Sequence, residues 1–87
     1  MAKELAQQEV ETRVEELVRQ HVDSDVPVPL ESDLLNDLAI DSLELVELGI
    51  KIEKHFAMKL PMSDLRRCIT VEEIIQLVQQ IKEEEQL

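Results

Sequence analysis

The sequence predicts an all-α fold, a small four-helix bundle with three longer helices, one short helix and a long structured first loop. Three observations carry this prediction. Apolar residues recur at steps of three and four in three separate stretches, which is the spacing of a helix face. One Gly and three Pro are too few for a turn-rich all-β chain. The 87 residues leave room for one small domain, expected over 1–87 with a core over about 5–81 and a charged tail over 82–87.

Hydrophobic residues make up 44% of the chain, enough to build a core despite 20 Asp and Glu against 9 Lys and Arg. That core must be aliphatic, because Trp and Tyr are absent and Phe56 is the only aromatic residue. The formal net charge of −11 argues against nucleic acid, whose binding needs clustered Lys and Arg, and against an anionic membrane surface.

The first helix is marked by Val10, Val14, Leu17, Val18 and His21, with Leu5 extending the series upstream. Glu9, Glu11, Glu15, Glu16 and Arg19 fill the opposite face, giving an amphipathic helix of about 18 residues. Asp23, Ser24, Asp25, Pro27 and Pro29 then end it, since proline lacks the amide donor and restrains the residue before it. From Val22 to Ile40 the pattern holds one weak helical turn, near Ser32 to Leu38. A connection that long in so small a domain is commonly functional. Its apolar members Leu30, Leu34, Leu35, Leu38 and Ile40 are expected to pack onto the bundle.

Asp41 followed by Glu44 forms a candidate capping box and opens the second long helix, which runs to about Phe56. This places Ser42 at the first helical position with its hydroxyl pointing outward. Glu44, Glu47, Lys51 and Lys54 mark a solvated stripe. Leu43, Leu45, Val46, Leu48, Ile50, Ile52 and Phe56 span a wider arc than one contact face needs. Either the helix is central, or it keeps apolar side chains for a partner. Pro61 to Arg66 suits a short helix or turn. Thr70-Val71-Glu72-Glu73 is a second capping box, opening a last helix with Val71, Ile74, Ile75, Val78 and Ile81 on its inner face. The tail after it is expected to fray.

Cys68 is the single cysteine, so a disulfide framework is excluded and a reduced, cytoplasmic setting is expected. Arg66 and Arg67 beside it would lower a thiol pKa and favour reactivity, whereas packing ahead of Ile69 would make it a small buried hydrophobe, the commoner case. The N-terminal stretch has no apolar segment of a signal peptide and is too acidic for a transit peptide. No run approaches the ~18 apolar residues of a membrane span.

Most catalytic readings fail. Gly49 is the only glycine, which excludes a Gly-rich phosphate loop. His21 and His55 lack the companions of a zinc site, and Glu31 to Asp37 lacks the glycine and terminal Glu of a calcium loop. A triad of Ser42 with either histidine has neither spacing nor an oxyanion turn behind it. The chain is therefore not expected to be an enzyme or to hold a metal.

One constellation remains. Leu35-Asn36-Asp37-Leu38-Ala39-Ile40-Asp41-Ser42-Leu43-Glu44-Leu45-Val46-Glu47-Leu48 joins the long loop to a helix start with an exposed serine, followed by acids and apolar residues. A serine at a helix start is by itself an ordinary polar residue. In this helix order, length and acidity, however, the segment closely resembles the acyl carrier protein family, and Phe56, the Leu60-Pro61 junction and Thr70-Val71 extend the resemblance over nearly the whole chain. The resemblance implies 4′-phosphopantetheine on Ser42, with Asp41 and Leu43 completing the motif. It implies an acyl group held as a thioester, in fatty acid or specialised lipid or polyketide biosynthesis. It further implies a monomeric carrier that meets a phosphopantetheinyl transferase and acyl-transfer and chain-modifying enzymes. Those partners would dock through Glu44 and Glu47 with Leu43, Val46 and Ile50, although the two glutamates also suit a plain solvated face and Ile50 also suits the core. An amino-acid carrier of peptidyl or D-alanyl type, or a non-carrier adaptor bundle, are the alternatives.

Three departures from the family pattern stand out. Ala39 replaces the usual glycine before the motif, and Gly49 interrupts the second helix at a cost of about 1 kcal/mol. Charge is the third. Residues 26–50 hold six acids and no Lys or Arg, whereas 51–68 carry Lys51, Lys54, Lys59, Arg66 and Arg67 against Glu53 and Asp64. A carrier with dedicated partners is expected from that basic region, which is acidic in fatty-acid-synthesis carriers.

Overall fold

The computed structural model describes the backbone of residues 2–85 and the side chains of residues 8–85, so the Leu5 side chain and residues 86–87 of the tail lie outside the described residues. The chain forms four helices, α1 (Ala2–His21), α2 (Ser42–Phe56), α3 (Met62–Leu65) and α4 (Val71–Glu85). Helix α1 packs against both α2 and α4, and α3 bridges α2 and α4. Among the described residues no helix is long and apolar enough to cross a membrane.

The core follows the helical spacing. Val10, Val14 and Val18 of α1 are buried against Leu45, Leu48 and Ile52 of α2, Leu65 of α3, and Val71, Ile74, Ile75 and Val78 of α4. Leu17, Phe56 and Ile81 pack at its margin. Helix α1 touches both other long helices, so α2 is not the central element and its wide apolar arc faces partly outward. Helix α4 does not fray at Ile81 as expected but continues to Glu85. Lys82 lies over the Phe56 ring, 5.4 Å from its centroid, and Gln80 Nε2 donates to Glu84 Oε1 (3.4 Å), so the charged segment has local support.

The long loop is held at both ends. Val28 is buried, and its N–H donates to Glu15 Oε2 on α1 (2.8 Å). Farther on, Asp33 Oδ1 accepts from the N–H groups of Leu35 and Asn36, and Asp37 Oδ2 accepts from that of Asp33. These bonds cap the helical turn expected near Ser32 to Leu38. Asp33 also forms an antiparallel bridge with Thr70. Leu34 N–H donates to Ile69 O (2.8 Å), Val71 N–H to Ser32 O (3.3 Å) and Glu72 N–H to Leu30 O (2.9 Å). The first two amides of α4 would otherwise be orphaned, and the loop supplies their acceptors. Thr70 Oγ1 takes the third, from Glu73, while Glu73 Oε1 returns to the Thr70 N–H, completing the expected capping box.

Of the loop's apolar residues, Leu34 and Ile40 are buried and Leu30 and Leu38 are partly so. Leu35 departs from expectation. It is 60% exposed, because the Asp33-capped turn buries Leu34 and sends the next side chain to the opposite side. Ala39 has φ 55, in the left-handed region that favours glycine, which costs an alanine about 1–2 kcal/mol. Ala57 closes α2 with φ 52 and its N–H on Glu53 O. Neither turn uses the one glycine.

Gly49 instead serves packing. A Cβ at this position would stand 2.6 Å from Leu65 Cδ2, and Leu65 is fully buried. The missing side chain lets α3 seat on α2. Cys68, three residues past the end of α3, is half-buried, and its Sγ donates to Asp64 O (3.7 Å). Burial first, then the charges of Glu73 and Asp64, push its thiol up to about 11. The adjacent arginines do not activate it, and the packing reading holds.

Two outcomes follow. Gly49→Ala gains about 1 kcal/mol of helix propensity but forces Leu65 to move at about 1–3 kcal/mol, so a net loss of up to about 2 kcal/mol is expected in urea denaturation. A rise in stability would contradict the close approach. Because the Cys68 pKa is raised in the fold, stability falls as pH rises from 9.0 towards about 11, and alkylation of native protein by iodoacetamide accelerates over that window. Fast alkylation of folded protein at pH 8 would contradict it.

Candidate functional site

The site forms where the strapped loop delivers the chain to α2. Asp41 is extended (φ −80, ψ −176), its Oδ1 accepts from Glu44 N–H (2.9 Å) and its carbonyl from Leu45 N–H (2.8 Å). It is the N-cap expected from the sequence. Among the described residues no bond returns from the Glu44 side chain to the Asp41 amide, so only half of the expected box forms. The division of labour matters. Asp41 does the capping, leaving the Ser42 hydroxyl exposed at the first helical position. The amides of Ser42 and Leu43 have no hydrogen-bond acceptor among the described residues, so two donors at the positive end of the helix dipole point out of the fold.

Beside Ser42 opens a cleft of about 600 Å³ between the loop, the start of α2 and the α3–α4 junction. Leu35, Ile40, Leu45 and Ile69 give it apolar walls, Asp33 and Asp41 give it acids, and Arg66 is the cation among its lining residues. Leu35 and Ile69 are each 60% exposed, which is unusual for side chains so large and so close together. The sequence pattern pointed to neither. Arg66 was legible as part of a basic segment and as a neighbour of Cys68, not as a residue of this cleft.

Along α2 the apolar arc divides. Leu45, Leu48 and Ile52 face the core, whereas Leu43 is 69% and Ile50 44% exposed, with half-buried Val46 between them. Ile50 is thus not a core residue. Leu43, Val46, Glu47 and Ile50 recur at three- and four-residue steps and so share one outer face, with half-buried Glu44 beside it. Farther along, Lys51 Nζ approaches His21 Nδ1 of α1 (3.1 Å). The other histidine, His55, meets the Phe56 ring edge-on (4.9 Å, 78°). Neither histidine lines the Ser42 cleft, so no imidazole stands ready to deprotonate the hydroxyl. Among the described residues no three His, Cys, Asp or Glu side chains gather as a metal ion would need.

This arrangement presents an exposed hydroxyl at an anion-receptive helix end. A family profile described as "Phosphopantetheine attachment site" matches residues 8–78. The acyl carrier protein of Campylobacter lari is 34% identical over 61 residues, covering 70% of this chain and 78% of that protein. That of Phytoplasma mali is 42% identical over 53 residues, covering 61% and 63%. A solved structure from Mycobacterium tuberculosis superposes with a TM-score of 0.74 over 79% of this chain and 93% of that one, at 23% identity, which supports the four-helix fold. The chain belongs to the acyl carrier protein family, whose prosthetic group is covalently attached 4′-phosphopantetheine.

Proposed function

We propose that Ser42 is the attachment residue and that the protein is a carrier of acyl intermediates, not an enzyme. One observation carries this reading: Ser42 stands exposed at the first position of α2 while Asp41 alone caps the helix. The chain's other serines fit less well. Ser32 is buried, Ser24 is tied to the Val26 backbone, and Ser63 sits in a helix of four residues. With its own oxygen not needed for capping, Ser42 can be consumed without unwinding the helix.

The group supplies a terminal thiol that holds cargo as a thioester. The chain's residues do the rest. Ser42 Oγ would hold the group as a phosphodiester, formed as the P–O bond to the donor's leaving group breaks and the hydroxyl proton departs. The free amides of Ser42 and Leu43 would receive the phosphodiester charge at the helix end. Leu43, Val46 and Ile50 offer apolar contact to a docking enzyme, and Glu44 and Glu47 steer basic surfaces towards Ser42. Phosphopantetheinyl transferase and the acyl-transfer and chain-modifying enzymes of a lipid or polyketide pathway are the partners of this reading, met by a monomer in the cytoplasm. Exposed Lys51, Lys54, Lys59, Arg66 and Arg67 favour a specialised pathway with dedicated enzymes over general fatty acid synthesis.

Co-expression with a phosphopantetheinyl transferase is expected to add one phosphopantetheine to the intact mass, and Ser42→Ala to abolish the gain. Wild type that stays unmodified across several transferases would favour an adaptor bundle instead. Glu44→Lys and Glu47→Lys are expected to slow loading about tenfold at low salt, an effect that shrinks as salt rises, with thermal stability nearly unchanged. Equal loading rates for wild type and both variants would overturn the docking assignment.

A further inference from the structure

We infer that Arg66 is a positioning residue that holds the phosphodiester of the prosthetic group across the cleft from Ser42. The inference rests on the carrier reading above and adds a residue to it. Three observations on the structure support it.

The first is a charge imbalance. The segment that delivers Ser42, residues 26–50, carries six acids and no Lys or Arg. A phosphodiester on Ser42 adds another negative charge close to Asp33, Asp41 and Glu44. Beyond the helix-end amides, a side-chain cation to offset it can come only from another part of the chain, and Arg66 is the one that lines the Ser42 cleft. The second is its availability. Among the described residues the Arg66 side chain takes part in neither of the ion pairs, Arg13–Glu16 and Arg19–Glu15, although Asp33 and Asp41 line the same cleft. Its guanidinium, whose planar fork suits paired phosphate oxygens, is uncommitted. The third is direction. Neighbouring Arg67 lines a separate groove with Asp64, Glu73 and Gln76, between α3 and α4. Two adjacent arginines thus serve different surfaces, and only Arg66 shares one with Ser42.

An ordinary helix-end role does not account for Arg66. It caps α3, but α3 has only four residues and too few aligned peptide dipoles to attract a cation strongly. Restraint of the arm at its root is the consequence. The phosphate is held against the α3–α4 side of the cleft and beside exposed Ile69 and Leu35, so the arm leaves the surface in a narrowed range of directions.

The test compares apo and phosphopantetheine-loaded wild type, Arg66→Gln and Arg67→Gln, all full-length, after intact mass has confirmed loading. The two variants remove the same charge from adjacent exposed positions. Loading is expected to change the Tm of Arg66→Gln unfavourably, by about 2–4 °C relative to its effect on wild type and on Arg67→Gln. The 31P resonance of the loaded protein is expected to shift in Arg66→Gln but not in Arg67→Gln, a readout that a merely structural role leaves unmoved. Loaded Arg66→Gln with the wild-type Tm change and 31P resonance overturns the role of Arg66 alone. Equal effects of both variants overturn it in favour of general surface charge. Failure of wild type to gain the mass overturns the carrier reading and this role with it.

Discussion

Everything that distinguishes this molecule from a plain helical bundle depends on the backbone strap between residues 30–34 and 69–72. Three amide-to-carbonyl bonds, from Leu34 to Ile69, Val71 to Ser32 and Glu72 to Leu30, tie the long loop to the start of α4. Each satisfies a group that burial would otherwise penalise by about 1–3 kcal/mol. The strap solves two problems with the same atoms. It supplies acceptors for the first amides of α4, and it fixes a loop that has no sheet or helix of its own to order it. Ile40 N–H then returns to Leu34 O, so the loop's exit is set by its anchored middle. Ser42 inherits its position from that geometry.

The single glycine shows what the fold gives priority to. Two turns, at Ala39 and Ala57, place alanine in left-handed backbone and accept the strain. The glycine is kept for the α2–α3 contact, where Leu65 occupies the space a side chain would need. Close approach of α3 to α2 is therefore worth more to this protein than relaxed turns. It also sets where Arg66 falls, because Arg66 follows Leu65 directly. One residue later in the chain, the surface changes from the Ser42 cleft to the α3–α4 groove.

Local features of the fold were legible in the sequence and non-local ones were not. The Asp41 cap, the end of α2 at Phe56 and the Thr70–Glu73 box depend on residues three or four apart, and pattern reading finds them. The strap joins residues about 40 positions apart through backbone atoms, which carry no side-chain signature. Leu35 illustrates the consequence. Hydrophobicity alone predicted burial, but the turn capped by Asp33 buries Leu34 and leaves Leu35 beside the cleft. Cys68 stood between two readings, a thiol activated by Arg66 and Arg67 and the commoner small buried hydrophobe. Burial and the nearby Glu73 and Asp64, which raise its pKa, decide for the second. Ser42 itself was visible through its setting, since the cap before it and the acids after it are consecutive.

The central claim is that the chain offers one serine, Ser42, for attachment, because the fold buries Ser32, ties Ser24 to the Val26 backbone and leaves exposed Ser63 in a helix of only four residues. Fragment-level mass spectrometry of protein loaded in vivo, locating the phosphopantetheine among Ser24, Ser32, Ser42 and Ser63, tests it most directly. The account predicts the group on the peptide containing Asp41-Ser42-Leu43 and nowhere else. Its appearance on Ser63, or on any other serine, would contradict it.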